Sequence, residues 1–326
     1  MLEHSILLIG IGTNKYKLNE IVEVTEDFSV LEKYGEQSCF YKAWRIWNKF
    51  NKPGTIYILN LDSWENISNQ DKVLNDLNFD YICPLDLYLD DSYYDDYYAK
   101  RLFYSQLILL LISKTISTVI MTGQHATGFE DLDSFLNNEN EKIERAMIRF
   151  SNLKRENFIY VANNLTGYIY ANVVLACSLI NTDYAEYPAS DLFGPAYFEI
   201  DQSDVSSRLV YFKNNYITGT TVENLVNFSD DYVLRLVPVY RIIKYFYFHQ
   251  PDQDEFIGKT YSEYRKLKIK EKLDEFLSNL KGWIIYKYEI VSVTDIQTEL
   301  GTIDIRLRYN IWPKFTTEVY RLENML

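Results

Sequence analysis

The stretch Ser38–Leu61, SCFYKAWRIWNKFNKPGTIYILNL, sets the architecture of this chain, because it holds one helical pattern and one strand pattern separated by a single break. Phe40, Ala43, Trp44, Trp47 and Phe50 recur at the spacing of one helix face. Pro53-Gly54 ends that periodicity, and the apolar run TIYILNL predicts a buried strand. A helix feeding a strand in this way is the unit of an α/β fold.

The same alternation extends in both directions. Upstream, SILLIGIG (5–12) is an apolar run closed by glycine and predicts a strand. TEDFSVLEKYG (25–35) predicts a helix, with Thr25 or Asp27 as N-cap and Gly35 as its stop. Downstream, FDYICPLD (79–86), STVIMTG (117–123) and ENFIYVAN (156–163) read as strands. Helices are expected at NENEKIERAMIRFSNLK (138–154) and GYIYANVVLACSLI (167–180), the second rich in small residues and fully buried. Residues 85–114 read as a long helix whose N-terminal carboxylates, Asp90, Asp91, Asp95 and Asp96, suit the positive end of the helix dipole. That run lacks the alternating ligands and central glycine of a calcium loop.

Past about residue 185 the texture changes. PAYFEID (195–201), RLVYFKNNYITGT (208–220) and TVENLVNF (221–228) are short strand-like pieces, followed by a helix expected from Asp231 to about Phe248. After the QPDQDE turn come a basic helix and two alternating strands, GWIIYKYEIVSV (282–293) and GTIDIRLRYNIW (301–312). The fold class is therefore a mixed α/β core domain, residues 1–225, with a C-terminal α+β domain, residues 226–326, made of a helix pair, a β-hairpin and an extended C-terminal arm.

Composition narrows the function. A chain of 326 residues with 47% hydrophobic content and 16% aromatics is folded, and 24% charged residues suits water. The net charge of −13 repels nucleic acid and anionic membrane, so neither is expected as a partner. Cys39, Cys83 and Cys177 share no short spacing, which fits buried thiols in a reducing compartment and no metal or disulfide framework. The start MLEHSILLIGIG does not read as a signal peptide, and LILLLI (107–112) is too short to span a bilayer.

Gly258-Lys259-Thr260 raises the possibility of a phosphate loop and of a nucleotide hydrolase using Lys259. The glycine such a loop needs five residues earlier is Gln253, and the preceding PDQDEF carries three carboxylates that repel phosphate. His4, His125 and His249 have no metal-ligand spacing, and no catalytic residue or cofactor is assigned. Beyond the Gly-Lys-Thr the pattern is that of an amphipathic helix: Ile269, Leu273, Phe276 and Leu280, flanked by Leu267 and Leu277, form a core face. Arg265, Lys268 and Lys272, with Lys266 and Lys270 on the shoulders, form a positive stripe. A solvated helix face and a docking surface for an acidic partner are both open readings of that stripe.

The C-terminal pieces VPVYRIIKYFYF (237–248), the basic helix 256–282, WIIYKYEIVSV (283–293) and TIDIRLRYNIWPKFTTEVYRLEN (302–324) resemble the same region of contractile phage tail-sheath proteins. LLIGIG, VTEDFSVLEKYG, CFYKAWRIWNKF and TIYILNL are similar to the α/β core of that family. The resemblance implies a structural, non-enzymatic virion subunit, assembled in the host cytoplasm. Such subunits form rings around a tail tube protein and meet baseplate or neck proteins at the ends. It implies that Arg265, Lys266, Lys268 and Lys272 face the tube. It also implies that an arm containing Phe315, Thr317, Val319 and Arg321 joins a neighbour's hairpin at Ile303, Ile305 and Leu307. Only three residues precede His4 where the family has an extended arm, which keeps a collar, terminator or baseplate-adjacent ring as the alternative.

Overall fold

The computed structural model describes residues 4–24, 30–70, 74, 79–87, 117–149, 154–182, 188–201, 203–205, 208–215, 219–232, 234–249, 263–281, 285–296, 302–311, 315–317 and 320–322. The acidic segment 88–98, the Gly-Lys-Thr at 258–260 and Val319 lie outside them. The chain divides into two compact units, Met1–Val237 and Pro238–Leu326. That division falls downstream of the expected 225/226 boundary, because residues 226–236 are tied into the first unit. Phe228 N–H reaches the carbonyls of Arg155 and Phe158, and Val237 N–H that of Leu225.

The first unit is built on a nine-stranded sheet in the order β2-β3-β1-β4-β5-β6-β8-β9-β7. Its strands are β1 (Ser5–Gly10), β2 (Ile21–Val24), β3 (Thr55–Asn60), β4 (Tyr81–Pro84), β5 (Thr118–His125), β6 (Phe158–Asn163), β7 (Ala189–Ser190), β8 (Leu209–Asn215) and β9 (Gly219–Glu223). From β3 through β1, β4, β5 and β6 to β8 the strands are parallel, and antiparallel strands finish both edges. Parallel strands covered on both faces need continuous apolar runs. In β1, Ile6 and Leu8 enter one core and Leu7 and Ile9 the other, all fully buried.

One face carries α1 (Val30–Tyr34), α2 (Cys39–Lys49) and a later helix, Ala171–Asn181. Between the last two in sequence comes α3 (Leu132–Arg149), which covers the other face with Phe135, Leu136, Ile143 and Ala146; Ala171–Asn181 is α4. Ser38 caps α2 by accepting the Tyr41 N–H at 3.1 Å, and Phe40, Ala43 and Trp47 are buried as the periodicity requires. Trp44 is only half-buried against that core. Every residue of α4 from Ala171 to Leu179 is buried, and the Asn172 amide donates to the carbonyls of Pro84 and Ile120, pinning the helix start to β4 and β5. Each large apolar side chain so buried contributes roughly 1.5–3 kcal/mol.

The structure departs from two expectations. PAYFEID forms no strand: Ala196 makes one isolated bridge to Leu165, and its backbone is held by the Asn214 side chain. The helix expected from Asp231 begins at Val237, as α5 (Val237–His249). Asp231 instead closes a turn, its carboxylate accepting Leu234 N–H and its carbonyl Arg235 N–H. Pro238 lacks the amide a mid-helix position needs and suits the first helical turn.

The second unit contains the rest of α5, α6 (Glu263–Leu280), and a sheet of β10 (Ile285–Ile296), β11 (Thr302–Ile311), β12 (Phe315–Thr317) and β13 (Tyr320–Leu322). β10 and β11 form a long antiparallel hairpin with irregularities between Ile285 and Lys287 and between Ile290 and Ser292. β12 and β13 both lie on β11, so β11 is the central strand.

Candidate assembly interface

α6 divides as its spacing predicts. Ile269, Leu273, Leu277 and Leu280 are buried and Phe276 is half-buried, whereas Leu267, expected in the core, is 52% exposed. Leu267 precedes the buried row by two residues, about 200° around a helix, so it points away from it. The helix is joined to the hairpin by the Tyr288 hydroxyl of β10, which donates to the Asp274 carboxylate at 3.0 Å. Burial first, and this carboxylate second, raise the Tyr288 phenol above its ordinary pKa.

On the outward face Lys268 is not simply an exposed charge. Its ammonium donates to Glu271 at 2.7 Å and lies 5.9 Å from the Tyr264 ring centre. The hydrogen bond to Glu271 keeps it protonated to higher pH than a free lysine. Lys270 is exposed and Lys272 half-buried. Arg265 and Lys266 belong to the helix backbone, but their side chains lie outside the described ones. Thus Arg265, Lys268 and Lys272 fall on one row at spacings of three and four, and Lys268 is already paired within the helix.

The arm residues are placed together. Phe315 and Thr317 belong to β12 and Arg321 to β13, while Ile303, Ile305 and Leu307 belong to β11. Within the single chain the arm pairs with its own β11, a pairing that the sequence alone did not specify.

At the C-terminal ends of β1 and β3, the buried Asn60 side chain accepts Gly12 N–H at 2.8 Å and donates to the carbonyls of Asn14 and Tyr16, holding the loop that follows β1. β1 leads to the antiparallel edge strand β2 rather than directly to a helix N-terminus that could receive phosphate. His125 shares a 2.5 Å contact with Thr127 and meets the Tyr197 ring edge-on, and His249 stacks on Tyr245. Among the described residues no group of His, Cys, Asp and Glu could hold a metal, and no helix is long and apolar enough to cross a membrane.

A second charged cluster was not signalled by sequence spacing. The nearly buried Arg208 donates to the carbonyls of Asn227 and Ser229 and to Asp230, and Arg155 shares that carboxylate. Burial lowers the Arg208 pKa, with Arg235 adding to the effect. These arginines lie far apart in sequence and meet only because their loops gather around residues 227–235.

No protein-family model matches the sequence, and no curated protein matches it. Solved structures do. The helical sheath of the anti-feeding prophage in its contracted state superposes with a TM-score of 0.65 at 11% identity, over 100% of this chain and 93% of that one. The sheath of an extracellular contractile injection system, PVC, gives 0.67 at 12% identity, over 99% and 90%. A sheath tail protein from Desulfitobacterium hafniense gives 0.64 at 11% identity, over 99% and 97%. Across both of its units, this chain has the fold of contractile tail-sheath proteins.

Proposed function

We propose that the protein is a structural subunit of a contractile tail sheath, forming rings around a tail tube in a phage particle or a related injection device. The observation that carries this reading is the length of the likeness, which takes in the α/β unit and the C-terminal helix-and-hairpin unit of the sheath structures together. A ligand-binding α/β domain would share only the first. The role is structural and non-enzymatic, as the likeness to sheath structures suggests.

In this reading the outward row of α6 meets an acidic tube surface, and Lys268 exchanges Glu271 for a carboxylate of the partner. An exposed intrahelical pair is weak and screened by salt, so the exchange is easily reversed when the sheath moves. Baseplate or neck proteins meet the terminal rings. Electron microscopy of the purified protein, alone and with its tube protein, tests the proposal. Stacked rings or tubes are expected, single closed rings would favour a collar or terminator, and a monomer at every concentration with no particle association would sink it. Lys268→Glu with Lys272→Glu is expected to weaken binding to the tube protein, the difference shrinking as salt rises; unchanged binding would make the stripe a solvated face.

A further inference from the structure

Three arginines from distant parts of the first unit gather around one carboxylate. Arg155 lies just before β6, Arg208 just before β8, and Arg235 in the stretch that leads into α5. Asp230 takes Arg155 at 2.6 Å and Arg208 at 3.3 Å, and the Ser229 carbonyl accepts from both Arg208 and Arg235. The loop that carries these acceptors is fixed from within: the Asn227 side chain accepts Ser229 N–H at 2.8 Å and donates to the Leu234 carbonyl at 2.7 Å. The guanidiniums are therefore in place before any partner arrives.

The local balance of charge is positive. Burial lowers the Arg208 pKa, and of the neighbouring charges Arg235 and Arg155 lower it further while Asp230 alone raises it. That single counter-charge is also the most accessible member, its side chain 70% exposed against 16% for Arg155 and 10% for Arg208. Among the described residues the Nη groups of Arg235 have no hydrogen-bond partner. Three residues earlier in the chain, Tyr232 is 72% exposed. Interfaces favour both residue types, arginine for a fork of donors that fits a carboxylate and tyrosine for its broad, rigid contact.

We propose that this cluster is the contact site for a carboxylate of a second copy, which takes the fork of Arg235 and competes with Asp230 for Arg155 and Arg208. That the copies stack into rings rests on the sheath reading above; the contact itself rests on the cluster. Charge names the occupant. A chain at −13 repels its own copies and presents carboxylates in excess, so copies approach most easily where one of them holds fixed positive charge. Asp230 is a placeholder: an ion pair with so exposed a carboxylate is weak and screened by salt, so its exchange costs little.

Sedimentation velocity of the full chain over a concentration series, at low and high salt, tests the site. Arg235→Glu is expected to weaken self-association about tenfold at low salt, with a smaller effect at high salt. Asp230→Asn is expected to strengthen it, and by more than Glu144→Gln, which removes the same charge from an exposed position of α3. An internal clamp predicts the opposite for Asp230→Asn, a less stable chain with no gain in association. Arg235→Lys places an amine at the site, and carbodiimide treatment is expected to link it to a carboxylate of another copy, identified by mass spectrometry. Links made only within one chain, or association unchanged in Arg235→Glu, overturn the proposal. Inorganic phosphate that raises the melting temperature of the wild type but not of Arg235→Glu, with no self-association, makes this a small-anion site and overturns the second copy as occupant. Association that follows Arg235 and Asp230 without rings or tubes in the microscope sinks the sheath reading and leaves this contact standing. Rings whose formation is indifferent to both variants do the reverse.

Discussion

Two glycines and one asparagine hold the backbone of the first unit where side chains alone could not. Gly54, between α2 and β3, has φ of +66°, and a Cβ there would stand 2.8 Å from the His4 carbonyl carbon. Gly35, which ends α1, has φ of +90° but its nearest neighbour would be 3.6 Å away. Gly35→Ala should therefore lose about 1–2 kcal/mol, the left-handed cost alone. Gly54→Ala should lose more, because two backbones must part. Asn60→Ala should cost about 1–3 kcal/mol by leaving Gly12 N–H and two carbonyls without their partner. Urea unfolding of the three variants checks the order, and a Gly54→Ala chain as stable as Gly35→Ala would contradict it. Gly35 and Gly54 stand out in the sequence as breaks; the role of Asn60 does not, since its partners are 44 to 48 residues away.

Among the helices and strands, periodicity carried most of the reading. A 3.6-residue period located α2 and the buried row of α6, and continuous apolar runs located β1, β3 and β6. It failed at Leu267, whose hydrophobicity suggested burial while its angular position put it outside. It also failed at Asp231, where a good N-capping residue closes a turn and Pro238 sets the true helix start. Leu277→Ala, at 1% exposure, is expected to destabilise by about 2–5 kcal/mol. Leu267→Ala is expected to change stability by less than about 0.5 kcal/mol. Equal losses at the two positions, measured by denaturant unfolding, would mean that α6 is rotated from the orientation described.

For the molecule as a whole, burial shows in acid–base behaviour. Desolvation raises the Cys39, Cys83 and Cys177 thiols above their ordinary value of 9.0. Below pH 9 both folded and unfolded chains keep these protons. As pH rises past 9 the unfolded chain loses them while the folded chain holds them, so stability falls by up to about 1.4 kcal/mol per pH unit for each thiol. Unfolding curves between about pH 8 and 10.5 should show this decline. The chain with Cys83→Ala and Cys177→Ala should show a shallower one, and an identical slope would count against the thiols as its source. In the native state a thiol reagent at neutral pH should label none of the three, and all three after unfolding.

The sequence by itself determined the α/β alternation, the two-sided burial of the central strands and the division of α6 into an apolar and a basic face. These features arise from periods of a few residues, which local chain geometry reads directly. Only the tertiary structure decided that residues 226–236 belong to the first unit, that Arg155, Arg208 and Asp230 meet, and that the arm lies on its own β11. Each joins residues brought near one another by packing and by strand register. A register is chosen by which edge lies within reach, a property of the folded chain that no local pattern encodes.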